Sequence, residues 1–306
     1  MKPFDIAIIG GGPAGLTAGL YAARGGANAV LFEEMFTGGQ AAVTEQIDNY
    51  PGFPEGVDGF ELAEMMQLQA ERFGAVTEYA EVYSADLQAS PKKIETSEGE
   101  FLGRAVIVAT GAGPRELGVP GEKELIGRGV NYCAACDGMF YKGKTVIVVG
   151  GGNTAAADAM LLSRVAKKVI LVHRRDSLRA TKIYHEPLMK AENVEFAWNS
   201  QVAEILHEGK VTGAVLKDVN SGQLRQVDCD GIFVSVGRKP VTEFLAGQLE
   251  LDKGGYILAG ESTVTNVPGV FAVGDVRTKF LRQVVTAVAD GAAAVHKAEE
   301  FLAENA

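Results

Sequence analysis

The chain has 306 residues, of which 47% are hydrophobic and 22% are charged, so it can fill two packed domains and is not a disordered chain. Its formal net charge of −10 argues against nucleic acid as a partner, because phosphate binding needs a basic face. No apolar run approaches the ~18–20 residues of a membrane helix, and no signal peptide opens the chain, so we predict a cytoplasmic protein without a membrane partner.

The first predicted elements are a strand, a glycine turn and a helix. Residues 6–9 form an apolar run typical of a buried parallel strand. The glycines at 25–26 predict the end of the helix, and residues 29–32 form a second strand. This βαβ pattern favours a dinucleotide site. The turn residues that we expect at its phosphates are Gly10, Gly12, Pro13, Ala14 and Gly15.

Further elements are predicted between the first glycine turn and the cysteines. Asp58 is predicted to cap a helix over residues 59–73, which Gly74 ends. Residues 75–102 alternate in polarity and contain turn residues, so we predict a small antiparallel meander there. An apolar strand follows over residues 105–109.

The pattern of strand, glycine turn and helix occurs a second time. Its strands are predicted at residues 146–149, 168–172 and 231–237. A last strand over residues 269–275 leads into a helix from 283 to 302. Two copies in matched contexts are much stronger evidence than one, and they predict two dinucleotide sites. The second turn contains Gly150, Gly152, Asn153, Thr154 and Ala155.

We therefore predict an α/β protein with two Rossmann-like dinucleotide-binding domains, each built of three ββα layers. The second copy lies inside the first, so the second domain is predicted as an insertion over residues 114–242. The first domain would comprise residues 1–113 and 243–306.

The residue at the end of the second strand of each copy predicts which nucleotide binds. In the first copy it is Glu33, whose carboxylate can accept hydrogen bonds from ribose hydroxyls and repels a 2′-phosphate; the adjacent Glu34 could serve instead. In the second copy it is His173. Three arginines suited to bind a 2′-phosphate follow: Arg174, Arg175 and Arg179. The first site is thus predicted to take an unphosphorylated dinucleotide and the second NADPH, unless the arginines are only a solvated basic cluster.

Two of the three cysteines, Cys133 and Cys136, form a CxxC motif, which is compatible with a structural disulfide, a redox pair or half of a zinc site. Zinc would need two more ligands, and neither Cys229 nor the four histidines has finger-like spacing, so we predict no metal. We interpret Cys229 as a small buried residue. Asp137 places a carboxyl group within reach of the sulfurs or of a reduced flavin, and this role is compatible with one as a turn residue with Gly138.

Two nucleotide sites and one redox pair suggest a single electron path. Nicotinamide delivers two electrons as hydride, thiol–disulfide exchange also transfers two, and a flavin can connect them. We therefore predict FAD in the first site, NADPH in the second, and transfer through the cysteines to an external disulfide.

The motifs resemble those of bacterial-type, low-molecular-weight thioredoxin reductases, in the same order and over essentially the whole chain. The most specific part is the cysteine motif inside the second nucleotide domain. The segments that carry the resemblance are residues 10–15, 38–40, 109–112, 133–138, 150–155, 173–176 with 179, 274–275 and 282–283.

The resemblance implies roles for individual residues. Cys136 would face the flavin, Cys133 would attack the disulfide of thioredoxin, and Asp137 would exchange the proton. Asp275 would bond the ribityl chain. The residues implied to line FAD, besides the first glycine turn, are Glu33, Gly38, Gly39, Gln40, Asn49, Val82, Thr110, Gly111, Gly274, Asp275, Arg282, Gln283 and Val284. Those implied to hold NADPH are Gly150, Gly152, Asn153, Thr154, Ala155, His173, Arg174, Arg175 and Arg179.

The resemblance also implies a homodimer whose NADPH domain rotates between two states. One position departs from the family pattern, since Leu281 stands where an aromatic residue is expected at the flavin edge. Rival interpretations keep the fold but change the partner, to a glutaredoxin-like protein or a peroxiredoxin system, or change the electron donor to ferredoxin, which the arginines disfavour. A different class would be a nucleotide-sensing module whose CxxC only stabilises a loop.

Overall fold

The computed structural model describes residues 3–44, 46–245 and 247–305. Its α-helices are α1 (Pro13–Arg24), α2 (Gly39–Ala42), α3 (Gly59–Glu71), α4 (Ala134–Asp137), α5 (Asn153–Leu162), α6 (His185–Lys190) and α7 (Val284–Glu304). Its strands are β1 (Phe4–Ile9), β2 (Ala29–Glu33), β3 (Val76–Tyr79), β4 (Val82–Asp86), β5 (Lys92–Thr96), β6 (Gly99–Val108), β7 (Ala112–Pro114), β8 (Val130–Asn131), β9 (Thr145–Val149), β10 (Lys168–Val172), β11 (Val194–Ala197), β12 (Ser200–His207), β13 (Val211–Asp218), β14 (Leu224–Asp228), β15 (Gly231–Val234), β16 (Arg238–Pro240) and β17 (Val270–Ala272). Within these residues no helix has the length and apolarity to cross a membrane.

The chain forms two compact units. The first unit runs to Gly113 and resumes at Lys239, and the second unit is Pro114–Arg238. The chain thus returns to the first unit at Lys239, ahead of the residue 243 predicted from the sequence. The reason is local, because Val241 exchanges hydrogen bonds with the first unit: its carbonyl accepts from Thr110 Oγ1 at 2.6 Å and its N–H donates to the Gly111 carbonyl at 3.1 Å.

The first unit is built on one large sheet. Strands β3, β2, β1 and β6 lie side by side in parallel, and β17 also pairs with β6 in parallel. Strand β5 pairs antiparallel with the first half of β6, and β4 pairs antiparallel with β5. The predicted meander over residues 75–102 is therefore wrong for its first strand, since β3 joins β2 in parallel. The helix α3 precedes β3 and supplies the crossover that a parallel strand requires.

Each face of the parallel part of this sheet packs against another layer through an apolar cluster. On one face, residues of β1 and β6 pack against α1 and α7. The two helices approach closely because Gly291 has no side chain, and a Cβ there would collide with the Ala14 carbonyl. On the other face, Ala85 and Ile94 of β4 and β5 cover the sheet. The result is the predicted ββα layering.

The second unit repeats this arrangement. Its parallel sheet has the order β11, β10, β9, β15, β8. Helices α4, α5 and α6 cover one face, and the antiparallel strands β12, β13 and β14 lie on the other. In each unit the strand before the glycine turn has a parallel neighbour on both sides: β1 lies between β2 and β6, and β9 lies between β10 and β15. The chain crosses over in opposite directions to reach these two neighbours. That position is the topological switch point at which α/β sheets bind ligands.

Candidate functional site

The first glycine turn connects β1 to α1. Gly10 has φ of +108°, and a Cβ at Gly15 would collide with the Gly10 carbonyl, so these two glycines are required by the fold. At Gly12 a Cβ would meet no atom within 4 Å. Helix α1 begins there without a side-chain cap and with Pro13 in its first turn. This open helix N-terminus suits a phosphate group, because free backbone N–H groups and the helix dipole converge there.

Glu33 lies at the end of β2 and reaches this turn. Its Oε2 accepts a hydrogen bond of 2.8 Å from the Gly11 N–H, and its Oε1 accepts one of 2.9 Å from the Glu34 N–H. The side chain is half-buried, whereas Glu34 is exposed. The structure therefore distinguishes the two glutamates, and it is Glu33 whose carboxylate lies beside the turn.

The loop before α2 packs against the same turn. The Gly38 N–H donates to the Gly11 carbonyl at 2.7 Å, and a Cβ at Gly39 would lie 3.6 Å from the Gly12 Cα. Both loop glycines have positive φ, +108° and +51°. Gln40 is exposed in the first turn of α2.

Several residues that were predicted to line FAD are far apart in the sequence but lie close together in the first unit. Asn49 Nδ2 donates to Gln283 Oε1 at 2.9 Å, and Gln283 is the cap of α7. A Cβ at Gly274 would lie 3.1 Å from Ala14 Cβ, which places the segment before Asp275 against the start of α1. Asp275 itself is half-buried.

Four other predicted residues are less directly connected. Thr110 and Gly111 follow β6 and hold Val241, as described above. Val284 packs on a small cluster around Ile47 and Val57. Val82, at the start of β4, packs against the cluster that contains Ile9 and Phe32 rather than bonding to the glycine turn.

Arg282 carries a buried nitrogen that has no hydrogen-bond partner in the part of the chain that the structure describes. Its guanidinium lies 4.1 Å from the centre of the Tyr256 ring, and Nη2 donates weakly to the Arg277 carbonyl at 3.4 Å. Its Nε is buried and makes no hydrogen bond within the described residues. An unpaired buried donor is costly, so this atom fits a ligand with acceptor oxygens.

A buried ionic cluster, which the sequence did not reveal, holds the Gly274 segment. Asp290 is 6% exposed and accepts from the Gly274 N–H at 2.8 Å, from Arg277 at 2.8 and 2.6 Å, and from Lys279 at 2.7 Å. Burial acts to raise the pKa of Asp290, but the bonds and charges of Arg277 and Lys279 outweigh it and hold the pKa below its ordinary value. The carboxylate is therefore ionised and fixes this loop.

The second glycine turn connects β9 to α5. Gly150 has φ of +149°, and a Cβ there would collide with the Ser235 carbonyl, whereas a Cβ at Gly152 would meet nothing within 4 Å. Helix α5 starts without a side-chain cap, as α1 does. Asn153 Oδ1 accepts from the Thr181 N–H at 2.8 Å, while Thr154 is exposed and Ala155 is buried. This turn therefore has the same phosphate-binding features as the first.

His173 lies beneath the second turn. It is 4% exposed, and its ring fills the space beside Gly151, where a Cβ would collide with it. The pKa of His173 is lowered, mainly by burial and to a lesser extent by the charges of the three neighbouring arginines. The ring is therefore neutral at neutral pH. Its Nε2 is buried and has no hydrogen-bond partner within the described residues.

The three arginines differ from His173 in exposure. Arg174, Arg175 and Arg179 are all exposed. The Arg179 N–H donates to the Gly151 carbonyl at 2.7 Å, which fixes its backbone at the glycine turn. Exposed guanidinium groups next to a nucleotide turn are available to bind a phosphate monoester.

Cys133 and Cys136 form a disulfide, with Cα atoms 5.3 Å apart. Cys133 is the N-cap of α4, and its Sγ accepts from the Cys136 N–H at 3.2 Å. Both residues are half-buried. Among the described residues there is no group of three or more His, Cys, Asp or Glu side chains that could hold a metal ion.

An acidic residue and two large apolar residues follow the disulfide in the chain. Asp137 follows Cys136 and is half-buried, with its N–H donating to the Cys133 carbonyl at 3.1 Å. Met139 and Phe140 come next, in a turn over Gly138–Tyr141, and are 59% and 43% exposed. The third cysteine, Cys229, is buried, and burial raises the pKa of its thiol to about 12, which makes it unreactive.

The pyridine nucleotide-disulphide oxidoreductase family model matches residues 4–291. The chain belongs to this family. It is 44% identical over 308 residues to a thioredoxin reductase of Peptoclostridium acidaminophilum, covering 99% of this chain and 98% of that protein. It is 46% identical over 302 residues to a thioredoxin reductase of Streptomyces clavuligerus, covering 98% and 94%.

A solved structure gives the same result. The crystal structure of thioredoxin reductase from Streptococcus pyogenes matches with a TM-score of 0.89 and 41% identity, over 98% of each chain. Membership in the pyridine nucleotide-disulphide oxidoreductase family implies flavin and nicotinamide cofactors. The open glycine turns and the unpaired Arg282 Nε fit such ligands.

Proposed function

We propose that this protein is an NADPH-dependent thioredoxin-disulfide reductase that binds FAD in its first unit and NADPH in its second. The observation that carries the proposal is the Cys133–Cys136 disulfide. It occurs in a chain of this family in which the residues beside the two glycine turns differ. Glu33 supports an unphosphorylated nucleotide in the first unit, and Arg174, Arg175 and Arg179 support a 2′-phosphate in the second. We further propose a cytoplasmic homodimer.

Each cofactor would be held by residues already described. FAD would lie at Gly12, the 38–40 loop and the Gly274–Asp275 segment, with Arg282 donating to it. NADPH would lie at Gly152 and the arginines. When bound, these groups supply a pair of electrons for each reduction of the Cys133–Cys136 bond.

The thiols then act by exchange. The Cys133 thiolate attacks one sulfur of the thioredoxin disulfide, which forms a mixed disulfide and releases the other thioredoxin sulfur as a thiolate. The Cys136 thiolate attacks the Cys133 sulfur, restores the Cys133–Cys136 bond and releases the second thioredoxin thiolate. Thioredoxin gains two electrons and two protons. We assign the proton exchange at Cys136 to Asp137, which follows it directly in the chain.

The exposed pair Met139 and Phe140 supports docking of a partner protein at this disulfide. Large apolar side chains exposed beside a reactive group are typical of recognition surfaces. Because both lie within four residues of Cys136, a protein bound to them would have its own disulfide close to the Cys133–Cys136 pair.

The test is steady-state NADPH oxidation with oxidised thioredoxin, by the wild-type protein and by Cys133→Ser. We expect the substitution to lower turnover by about 10³-fold or more, because it removes the attacking sulfur. Cys229→Ser is the matched control, since that thiol is buried and should leave turnover within about twofold. Wild-type protein that oxidises NADPH no faster with thioredoxin than without it would reject the proposal.

A further inference from the structure

A buried carboxylate lies at the start of the second unit, outside the sites described so far. Glu122 is 1% exposed. Its Oε1 accepts from the Leu117 N–H at 2.8 Å and from the Tyr132 hydroxyl at 2.9 Å, and its Oε2 accepts from the Gly118 N–H at 2.7 Å. Within the described residues it forms no ion pair. Burying a carboxylate is costly unless its oxygens are bonded, so each of these three donors is needed.

One of the donors belongs to the residue directly before the exchanging cysteine. Tyr132 precedes Cys133, which is the N-cap of α4 and accepts from the Cys136 N–H. Burial, together with the bond to Glu122, raises the pKa of Tyr132, so its hydroxyl remains a donor at any working pH. The contact therefore links the 117–122 loop to the backbone of Cys133.

A second contact restrains the same segment from another direction. Asn131 Nδ2 donates to the Tyr141 hydroxyl at 2.9 Å and to the Gly129 carbonyl at 3.1 Å. Tyr141 in turn packs edge-on against Phe233 with ring centres 5.2 Å apart. Two consecutive residues, Asn131 and Tyr132, are thus bonded to different parts of the unit immediately before the disulfide.

We infer that the Glu122–Tyr132 hydrogen bond positions Cys133 as the cap of α4 and thereby stabilises its thiolate after the disulfide is reduced. Once the S–S bond is broken, only the local backbone keeps the Cys133 sulfur within reach of the Cys136 N–H. An N–H bond to sulfur favours the thiolate over the thiol. Tyr132 and Glu122 are positioning residues, because they act through Cys133 and not on the substrate.

The inference deepens the proposed function, since it treats Cys133 as the exchanging thiol. Its test does not need thioredoxin, however. Iodoacetamide reacts with the thiolate itself, so the two ideas can fail separately. If the wild-type protein does not reduce thioredoxin, the proposed function fails; if Tyr132→Phe leaves the thiolate reactivity of Cys133 unchanged, the positioning role fails.

The experiment compares the wild-type protein with Tyr132→Phe, each reduced and with its flavin bound. The rate of iodoacetamide labelling at Cys133 is measured by peptide mass spectrometry across a range of pH. We expect labelling of Tyr132→Phe at pH 7 to be about 3- to 10-fold slower, the factor expected for loss of one hydrogen bond, with the pH profile moved to higher pH. The equilibrium with dithiothreitol should shift toward the Cys133–Cys136 disulfide by about the same factor.

Two further variants make the result decisive. Tyr184→Phe is the matched control, because its hydroxyl makes no hydrogen bond within the described residues, and it should change neither readout. Glu122→Gln keeps the shape of the side chain but replaces the charged acceptor of the Tyr132 bond by a neutral amide oxygen, and its NH2 group faces the Gly118 N–H. The weaker bond should shift both readouts in the same direction as Tyr132→Phe. An unchanged profile in Tyr132→Phe, or a shift there with none in Glu122→Gln, would overturn the inference.

Discussion

The backbone N–H of Gly274 donates a 2.8 Å hydrogen bond to Oδ2 of Asp290, a carboxylate that Arg277 and Lys279 also bond. The bond joins helix α7 to the segment that contains Asp275. A loop at a proposed flavin site is therefore held by a buried charge whose partners lie within the same stretch of chain. Several consequences of this and of the other contacts can be measured.

Asp290→Asn should destabilise the first unit and weaken FAD retention. The substitution leaves two buried cations without their counter-ion, and breaking a buried pair in this way costs about 3–5 kcal/mol. We expect a lower melting temperature and faster loss of flavin on dialysis, measured by calorimetry and by absorbance. Glu300→Gln is the control on the same helix, because that carboxylate is exposed and solvent screens its ion pairs. Equal effects of the two substitutions would contradict the assignment.

The two open glycines predict a pair of opposite phenotypes. Gly12→Ala adds a methyl group where no protein atom lies within 4 Å, so the fold should be kept while FAD binding is lost or much reduced. Gly152→Ala should retain FAD and raise the KM for NADPH, since its methyl group enters the other site. Flavin content and NADPH titration distinguish them. If Gly152→Ala, and not Gly12→Ala, lost the flavin and its yellow colour, then FAD would be bound in the second unit and NADPH in the first.

Arg175→Ala should reduce the preference for NADPH over NADH. Removing a guanidinium that binds a 2′-phosphate should raise the KM for NADPH by about 10-fold or more, because charge-assisted hydrogen bonds contribute roughly 1.5–3 kcal/mol. The KM for NADH should change little. Arg225→Ala, at an exposed position on β14, controls for the loss of surface charge. Parallel changes with both nucleotides would show that Arg175 does not bind the phosphate.

The His173 ring should titrate below its ordinary pKa of 6.5. Its folded-state pKa is depressed, so the unfolded chain binds the proton more readily. The stability that His173 contributes is therefore present above pH 6.5 and is lost as the pH falls from that value through the lower folded-state pKa. The effect cannot exceed about 1.4 kcal/mol per pH unit for one proton. Its ring signal can be followed by NMR and assigned with His173→Asn, which should also flatten the pH dependence of unfolding below pH 6.5. A midpoint above 6.5 would contradict the prediction.

Phe140→Ala should weaken the reaction with thioredoxin without slowing the reduction of the flavin by NADPH. Loss of an exposed aromatic contact at an interface typically costs about 1–2 kcal/mol, which corresponds to a KM for thioredoxin raised roughly 5- to 30-fold. The rate at which NADPH reduces the bound flavin should not change. Phe60→Ala, similarly exposed on α3, should leave both values as they are in the wild-type protein.

The sequence predicted those parts of the molecule in which residue type follows from backbone geometry. Gly10 and Gly150 were found because a turn with positive φ demands glycine, and Glu33 and His173 because the second strand of a βαβ unit ends beside that turn. Likewise, Asp58 caps α3 by accepting from the Phe60 and Glu61 N–H groups at 2.9 and 3.0 Å, as its place before an apolar helix predicted.

The sequence could not predict contacts that depend on how distant segments meet. Glu122 and Tyr132 lie on no common periodic pattern, and nothing in their types indicates that a buried carboxylate accepts from a tyrosine. The same holds for Asp290 with Arg277. Strand β3 was misassigned because a short alternating strand looks the same whether its partner is parallel or antiparallel.

The buried position of Cys229 gives this protein a simple thiol stoichiometry. Because this thiol is buried and burial raises its pKa to about 12, we expect it not to react with Ellman-type reagents while the chain is folded. A native titration therefore counts only the sulfurs that change oxidation state, none in the disulfide form and two after reduction. Every pair of labels corresponds to one two-electron equivalent stored on sulfur, and a third label reports that the chain has unfolded.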